Sequence, residues 1–154
     1  MISPLAVGDA APDFALSDQN GVRLRLSELR ASTNVLVVFF PFAFSGICTG
    51  ELGTIRDHLG DFVTDDLQTV CLSCDPVYTQ RAWADQHGYF FPLLSDFWPH
   101  GAAARSFGVF DEQGGFAIRG TFLIDRAGIV RWTQVNLPGQ GRELRGFRDT
   151  LAAL

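Results

Sequence analysis

The 154-residue sequence predicts an α/β domain in which a mixed central β-sheet is flanked by helices and preceded by an N-terminal β-hairpin. Three observations support this prediction. An Asn-Gly pair lies between two short extended runs, a continuous apolar run follows at residues 34–40, and helical and strand-like patterns then alternate. Because no low-complexity linker or internal repeat interrupts the alternation, we expect residues 1–154 to form a single domain.

The first two predicted elements are the hairpin and the central strand. Residues 13–16 and 22–26 flank the segment Gln19-Asn20-Gly21, and an Asn-Gly pair in this setting is a strong signal for a tight antiparallel turn. Residues 34–40 are dominated by β-branched and aromatic side chains without polar alternation. This pattern is typical of a strand covered on both faces, so we place it at the centre of the sheet.

A helix is predicted after Pro41, which ends the central strand because proline fixes φ and lacks an N–H donor. The helix runs from Cys48 onward, and its buried stripe consists of apolar residues at helical spacing: Leu52, Ile55, Leu59 and Phe62. This prediction places Cys48 in the first turn of the helix.

The remaining predicted elements are a strand at 67–74, helices at 79–87 and 102–107, a hairpin of strands 118–124 and 129–134 turned at residues 126–128, and a C-terminal helix from Gly141. This order of strands and helices is that of a thioredoxin-like fold. Fold class alone does not determine function, which must be argued from particular residues.

The charge of the chain excludes several classes of function. Seventeen acidic and twelve basic side chains give a formal net charge of -5, so we expect no binding to nucleic acid or to an anionic membrane. All basic residues are Arg, and without Lys there is no Schiff-base amine or phosphate-loop lysine. The sequence also lacks the paired Cys/His spacing that is typical of metal sites, so we expect no bound metal.

The cysteine content predicts a reducing compartment. Residues 1–8 lack the features of a signal peptide, and no apolar run approaches the roughly 20 residues of a membrane helix. The three cysteines, Cys48, Cys71 and Cys74, are an odd number in a chain that is 47% hydrophobic and needs no disulfide to fold. We therefore expect a cytoplasmic protein with reduced thiols, at least one of which is reactive.

Cys48 is the leading candidate for the reactive residue. Unpaired backbone N–H groups and the positive end of the dipole at a helix N-terminus stabilise a thiolate. The alternative is that Cys48 is a small apolar member of the buried stripe. A helix terminus contributes only about 0.3–1 kcal/mol, and at most about 2 kcal/mol, so a reactive Cys48 requires a nearby cation as well.

The residues around Cys48 favour the reactive alternative. Residues 41–48 follow the pattern Pro-x-x-x-Ser-x-x-Cys, continued by Thr49-Gly50-Glu51, and this segment resembles the active site of the peroxiredoxins. The resemblance extends over nearly the whole chain, including residues 8–14, 95–96 and 119–125. Residues 39–48 and 93–101 are most similar to the one-Cys AhpE branch of this family in actinobacteria.

The resemblance implies catalytic roles for Pro41, Ser45 and Arg119 beside Cys48. It implies that Pro41 shields the thiolate from water. Ser45 stands three residues before Cys48, so in a helical turn its hydroxyl would reach a bound peroxide oxygen or the thiolate. Arg119 begins an apolar strand and would donate to both the thiolate and the peroxide. The simpler alternatives are that Pro41 only ends the strand, that Ser45 only caps the helix, and that Arg119 is a solvated charge.

Supporting roles are expected for Glu51 and Thr49. Glu51 matches the family pattern and would orient Arg119 or another guanidinium, although an acid in the first turn of a helix is favourable in any case. Thr49 is expected to act similarly. Bulky apolar hydroperoxides are the expected substrates because three phenylalanines lie beside the site: Phe40, Phe42 and Phe44.

Cys71 and Cys74 form a C-x-x-C pattern, which is typical of a dithiol redox site. Within a strand, however, residues i and i+3 lie about 10 Å apart on opposite faces, beyond the roughly 7 Å limit for a disulfide. We therefore interpret both as core cysteines and keep Cys74 as a candidate resolving thiol. One resolving position of the family, five residues after the reactive cysteine, is Gly53 here, which implies a one-Cys mechanism.

The resemblance as a whole implies a thiol-dependent peroxidase that reduces hydrogen peroxide, organic hydroperoxides and peroxynitrite through a sulfenic acid at Cys48. It implies no flavin, haem or metal cofactor. The reductant would be a low-molecular-weight thiol with a glutaredoxin-like protein, or thioredoxin. Two alternatives stay open: a dithiol oxidoreductase using Cys71 and Cys74, and a non-enzymatic redox sensor.

The segment at residues 97–101 predicts self-association. Phe97 and Trp98 lie in a turn-prone stretch, where a monomer has little reason to expose large aromatic side chains. Because peroxiredoxins commonly pair through loops near the active site, we expect at least a homodimer. The alternative is that both side chains cover the core of their own chain.

Overall fold

The computed structural model describes residues 2–137 and 139–154, and the strands it contains form three sheets. The strands are β1 Ala15–Ser17, β2 Arg23–Arg25, β3 Asn34–Phe39, β4 Leu67–Ser73, β5 Leu93–Ser95, β6 Phe110–Asp111, β7 Phe116–Ala117, β8 Arg119–Ile124 and β9 Val130–Asn136. The helices are α1 Leu26–Leu29, α2 Gly46–Asp57, α3 Leu59–Phe62, α4 Val77–His87, α5 Ala102–Ser106 and α6 Arg148–Ala152.

The main sheet is mixed, as predicted. Its strand order is β5-β4-β3-β8-β9, with β3 at the centre. The β3–β4 and β4–β5 pairs are parallel, whereas β8 runs antiparallel to both β3 and β9. Every residue of β3 is buried, which agrees with its continuous apolar sequence.

The predicted N-terminal hairpin is confirmed, with strands shorter than the predicted ranges 13–16 and 22–26. β1 and β2 pair antiparallel over three residues each. The Asp18 carboxylate accepts hydrogen bonds from the N–H groups of Asn20 and Val22, both at 2.9 Å. Gly21 has φ +80°, a left-handed conformation that glycine adopts without steric cost.

Two hydrophobic cores lie on opposite faces of the main sheet because side chains alternate along each strand. The hairpin-side core contains Val37 of β3 and Leu72 of β4, packed with residues of α1 and α5. The Cys48-side core contains Val38 of β3 and Cys71 of β4, packed with residues of α2, α3 and α4 and with Leu144 and Phe147.

The structure corrects two predicted helices and adds elements that the sequence did not predict. The apolar stripe that begins near Cys48 is divided between α2 and α3, since His58 between them leaves the helical conformation. The predicted C-terminal helix is present as α6, but it begins at Arg148 and not at Gly141. Three short elements were not predicted: α1, β5 and the β6–β7 hairpin.

None of the helices in the described part of the chain is long and apolar enough to cross a membrane.

Candidate active site

The loop at residues 40–45 joins the central strand β3 to the helix α2 and carries the first part of the site. Phe40 is fully buried against Trp83, with the two ring centroids 5.4 Å apart, so it belongs to the core and not to an open pocket. Pro41 is also buried. Phe44 has φ +69°, a left-handed conformation that costs a non-glycine residue roughly 1–2 kcal/mol.

Cys48 is the third residue of α2 and is completely buried. As predicted, it therefore lies in the first turn, where backbone N–H groups lack intrahelical acceptors. This burial keeps the thiol out of bulk water.

Ser45 precedes the helix instead of lying within its first turn, which corrects the predicted geometry. It is the N-cap residue of α2, with extended backbone angles, and its carbonyl accepts a hydrogen bond from the N–H of Thr49 at 2.9 Å. The Ser45 hydroxyl makes no capping hydrogen bond. Its oxygen is buried and has no hydrogen-bond partner among the described residues. The hydroxyl is therefore available to a bound molecule.

Arg119 brings a positive charge to Cys48 from the opposite end of the sequence. It is the first residue of β8, the strand beside β3, and is buried with 5% exposure. Its Nη2 donates toward the Cys48 Sγ over 3.7 Å. This contact joins residues 71 positions apart. Arg119 is therefore the nearby cation that is needed in addition to the helix terminus.

Glu51 holds two guanidinium groups in place at once. Its Oε1 lies 3.3 Å from the Nε of Arg119. Its Oε2 accepts hydrogen bonds from the Nε of Arg142 at 2.9 Å and from the backbone N–H of Arg142 at 3.0 Å. Glu51 therefore contacts Arg119 and a second arginine, Arg142, that was not among the predicted site residues.

Arg142 lies in the segment that was wrongly predicted to be helical. Its guanidinium also donates to the Thr121 hydroxyl at 2.9 Å and to the carbonyl oxygen of Phe39 at the end of β3. These contacts with Glu51 and with two strands fix the path of residues 141–147 without a helix. Burial lowers the pKa of Arg142, and the Glu51 carboxylate opposes that effect.

The buried charges beside Cys48 do not cancel one another. Two buried guanidiniums, those of Arg119 and Arg142, face the one buried carboxylate of Glu51, which leaves an excess of one positive charge. An uncompensated charge in a protein interior is costly. The Cys48 sulfur, in contact with Arg119, therefore lies beside excess positive charge.

Replacing Glu51 with Gln is expected to destabilise the protein by about 3–5 kcal/mol, because it leaves two buried guanidiniums without their shared counter-ion. The free energy of unfolding from urea titrations measures this loss. The exposed Glu28 on α1 provides the control, and Glu28→Gln should change stability by less than about 0.5 kcal/mol. A loss below about 1 kcal/mol for Glu51→Gln would show that the buried cluster does not depend on the carboxylate.

The other predicted site residues lie at the edge of this cluster. The carbonyl oxygen of Thr49 accepts a hydrogen bond from the Tyr89 hydroxyl at 3.1 Å. Phe42 and Phe44 are 47% and 48% exposed. The Phe42 ring packs on Phe116 with centroids 5.1 Å apart. Phe44 lies near Trp83 instead, with ring centroids 6.2 Å apart, so the two half-exposed phenylalanines of the loop pack toward opposite cores.

Cys71 and Cys74 belong to opposite cores. Cys71 lies in the Cys48-side core, whereas Cys74, just after β4, lies in the hairpin-side core. This placement agrees with the strand argument against a Cys71–Cys74 disulfide, and it does not bring Cys74 to Cys48. Burial raises the pKa of Cys71 strongly and that of Cys74 to about 12, so both stay protonated at neutral pH.

Histidine, cysteine and acidic side chains do not gather into a metal-binding group anywhere in residues 2–137 and 139–154.

Comparison with known proteins identifies the family. Residues 7–133 match the model of the AhpC/TSA family. The chain is 53% identical over 150 residues to alkyl hydroperoxide reductase E of Mycobacterium tuberculosis, covering 97% of this chain and 98% of the relative.

Solved structures agree with the sequence match. The crystal structure of peroxidoxin BcpB from Mycobacterium tuberculosis superposes with a TM-score of 0.83 at 33% identity, covering 96% of this chain and 97% of that one. Enterococcus faecalis AhpC gives a TM-score of 0.84 at 28% identity, covering 96% and 90%. The chain therefore belongs to the AhpC/TSA family of peroxiredoxins.

Proposed function

We propose that the protein is a thiol-dependent peroxidase in which Cys48 reduces hydrogen peroxide, organic hydroperoxides and peroxynitrite. The observation that carries the proposal is the contact between the Arg119 guanidinium and the Cys48 sulfur within a buried cluster of excess positive charge. The thiolate is the nucleophilic form of cysteine, and a guanidinium beside the sulfur can donate a charge-assisted hydrogen bond to it. The relationship to alkyl hydroperoxide reductase E supports the same activity.

The reaction begins with attack of the Cys48 thiolate on one oxygen of the peroxide. A sulfur–oxygen bond forms, the O–O bond breaks, and both bonding electrons leave with the second oxygen. That oxygen takes up a proton to become water or an alcohol, or leaves as nitrite when the substrate is peroxynitrite. Cys48 becomes a sulfenic acid. Arg119 contacts the sulfur, and the Ser45 hydroxyl has no partner among the described residues. In this proposal each donates a hydrogen bond to the negative charge that moves during the step.

The sulfenic acid is then reduced by an external thiol. That thiol condenses with the Cys48 sulfenic acid to a mixed disulfide and releases water, and a second thiol restores Cys48. The placement of Cys71 and Cys74, both buried and protonated, supports this one-Cys cycle. We propose a low-molecular-weight thiol acting with a glutaredoxin-like protein, or thioredoxin, as the reductant, and a cytoplasmic location in which such thiols are maintained.

The exposed aromatic side chains support two further proposals. Phe42 and Phe44 would accept the apolar part of a bulky hydroperoxide next to Cys48. Phe97 and Trp98 are 47% and 79% exposed, so they do not simply cover the core of their own chain. Their exposure supports the proposal of a homodimer.

Native mass spectrometry tests this cycle after the reduced protein reacts with one equivalent of hydrogen peroxide. We expect a gain of about 16 Da per subunit, since a sulfenic acid adds one oxygen. A loss of about 2 Da would mean an internal disulfide and contradict the one-Cys cycle. The same spectrum reports whether the protein is a dimer.

A further inference from the structure

A carboxylate outside the charged cluster holds the loop that carries Pro41 and Ser45. The N–H of Ala43, in the middle of that loop, donates to the Oδ2 of Asp75 at 2.8 Å. Asp75 lies in the connection between β4 and α4 and is 32 residues away in sequence. The contact therefore ties the loop to the body of the sheet.

Asp75 is itself fixed by a series of buried hydrogen bonds. The Ser73 hydroxyl donates to the same Oδ2 at 2.6 Å and accepts from the Nε2 of Gln80 at 2.9 Å. Gln80 also donates to the carbonyl of Leu94 in β5 at 3.0 Å. Ser73 and Gln80 are completely buried. The carboxylate is thus held by β4, α4 and β5 and gives the loop a rigid support.

The loop needs such support because its own conformation is unfavourable. Phe44 is held in the left-handed region, and Phe42 and Phe44 are about half exposed, so burial of these rings only partly stabilises the loop. The loop nevertheless determines where the Ser45 hydroxyl stands relative to Cys48. A shift of about 1 Å in a reacting group can lower a rate about 100-fold.

We propose that Asp75 is a positioning residue for peroxide reduction. By accepting a hydrogen bond from the Ala43 N–H, it holds Pro41 and Ser45 in place relative to Cys48. This inference rests on the proposed peroxidase function. It concerns how the site is held and not which atoms react, because Asp75 itself contacts neither Cys48 nor Arg119 among the described hydrogen bonds.

Asp75→Ala and Asp75→Asn together test the proposal. In Asp75→Ala, hydrogen exchange of the amides at residues 42–45 should accelerate, and the rate constant with hydrogen peroxide should fall at least about tenfold. Alkylation of Cys48 by iodoacetamide should change less than about twofold, because alkylation needs the thiolate but no peroxide pocket. Asp75→Asn keeps an oxygen acceptor for the Ala43 N–H and should restore most of the peroxide rate.

Asp125→Ala is the matched control. Asp125 also accepts loop N–H groups, those of Ala127 and Ile129 at 2.9 Å, but it follows β8 at the end opposite Arg119. Its loss should leave the ratio of the peroxide rate to the alkylation rate unchanged. If Asp75→Ala is too unstable to purify, Ser73→Ala removes one support of the carboxylate and should give a smaller change of the same kind.

The two readouts separate the failure of this inference from the failure of the proposed function. Unchanged exchange at residues 42–45 in Asp75→Ala would overturn the positioning role, whatever the enzyme does. Faster exchange with an unchanged peroxide rate would overturn its importance for the reaction. A wild-type protein that reacts with peroxide no faster than a free thiol would refute the peroxidase proposal, while the exchange measurement would still decide whether Asp75 holds the loop.

Discussion

Arg119→Ala is expected to slow the reaction of Cys48 with hydrogen peroxide by at least about 100-fold, even at alkaline pH where the thiol is ionised without help. The wild-type guanidinium contacts the sulfur directly and lies close enough to bind a peroxide oxygen as charge develops. Its removal would therefore eliminate a transition-state contact in addition to the ionic stabilisation of the thiolate.

Rate constants with hydrogen peroxide and with iodoacetamide, measured from neutral to alkaline pH, separate these two effects. Weaker stabilisation of the thiolate slows both reactions at neutral pH and disappears at high pH. A lost transition-state contact slows only the peroxide reaction and persists at high pH. Arg119→Lys should recover part of the rate, since an ammonium group keeps the charge but not the planar pair of donors.

Arg126→Ala and Arg131→Ala are the controls for this experiment. Arg131 pairs with Asp125 and is half exposed, and Arg126 donates to the carbonyl of Ala31 at the protein surface. Neither contacts Cys48, so both variants should keep wild-type rates at every pH. Wild-type rates in Arg119→Ala would mean that another guanidinium, such as Arg142, stabilises the reaction.

The centre of the main sheet and the N-terminal hairpin could be predicted because their signals are local. The apolar run of β3 is long enough to show burial on both faces, and the Asn20-Gly21 pair marks the turn of the separate β1–β2 hairpin without distant contacts. Elements of two to four residues, such as α1 and the β6–β7 hairpin, are too short to show a period, and they form because the rest of the fold surrounds them.

The charged cluster could be predicted only in part, because its contacts are distant in sequence. Arg119 was identified from a family pattern, and the structure places it against Cys48. Arg142 is one of twelve arginines and lies outside every quoted motif; its contact with Glu51 spans 91 residues. The predicted C-terminal helix starts only at Arg148, after the segment that carries Arg142.

The support that Asp75 gives to the active-site loop could not be predicted from the sequence either. Asp75 follows a strand and precedes Pro76, a position where an aspartate is usually interpreted as part of a turn. Only the pairing of β3 with β4 brings it beside Ala43. Ser45, in turn, matched the family pattern, but its position before the helix became clear only from its backbone angles.

The second-order rate constant of the reduced protein with hydrogen peroxide, followed by stopped flow, tests the central claim that Cys48 is the peroxide-reducing residue. The wild-type protein and the double variant Cys71→Ser/Cys74→Ser should both react at least about 1000-fold faster than free cysteine, because the buried cluster stabilises the thiolate and the transition state. Cys48→Ser should not react measurably. Peroxide consumption that survives in Cys48→Ser, or is lost in the double variant, would contradict the assignment and favour a dithiol site at Cys71 and Cys74.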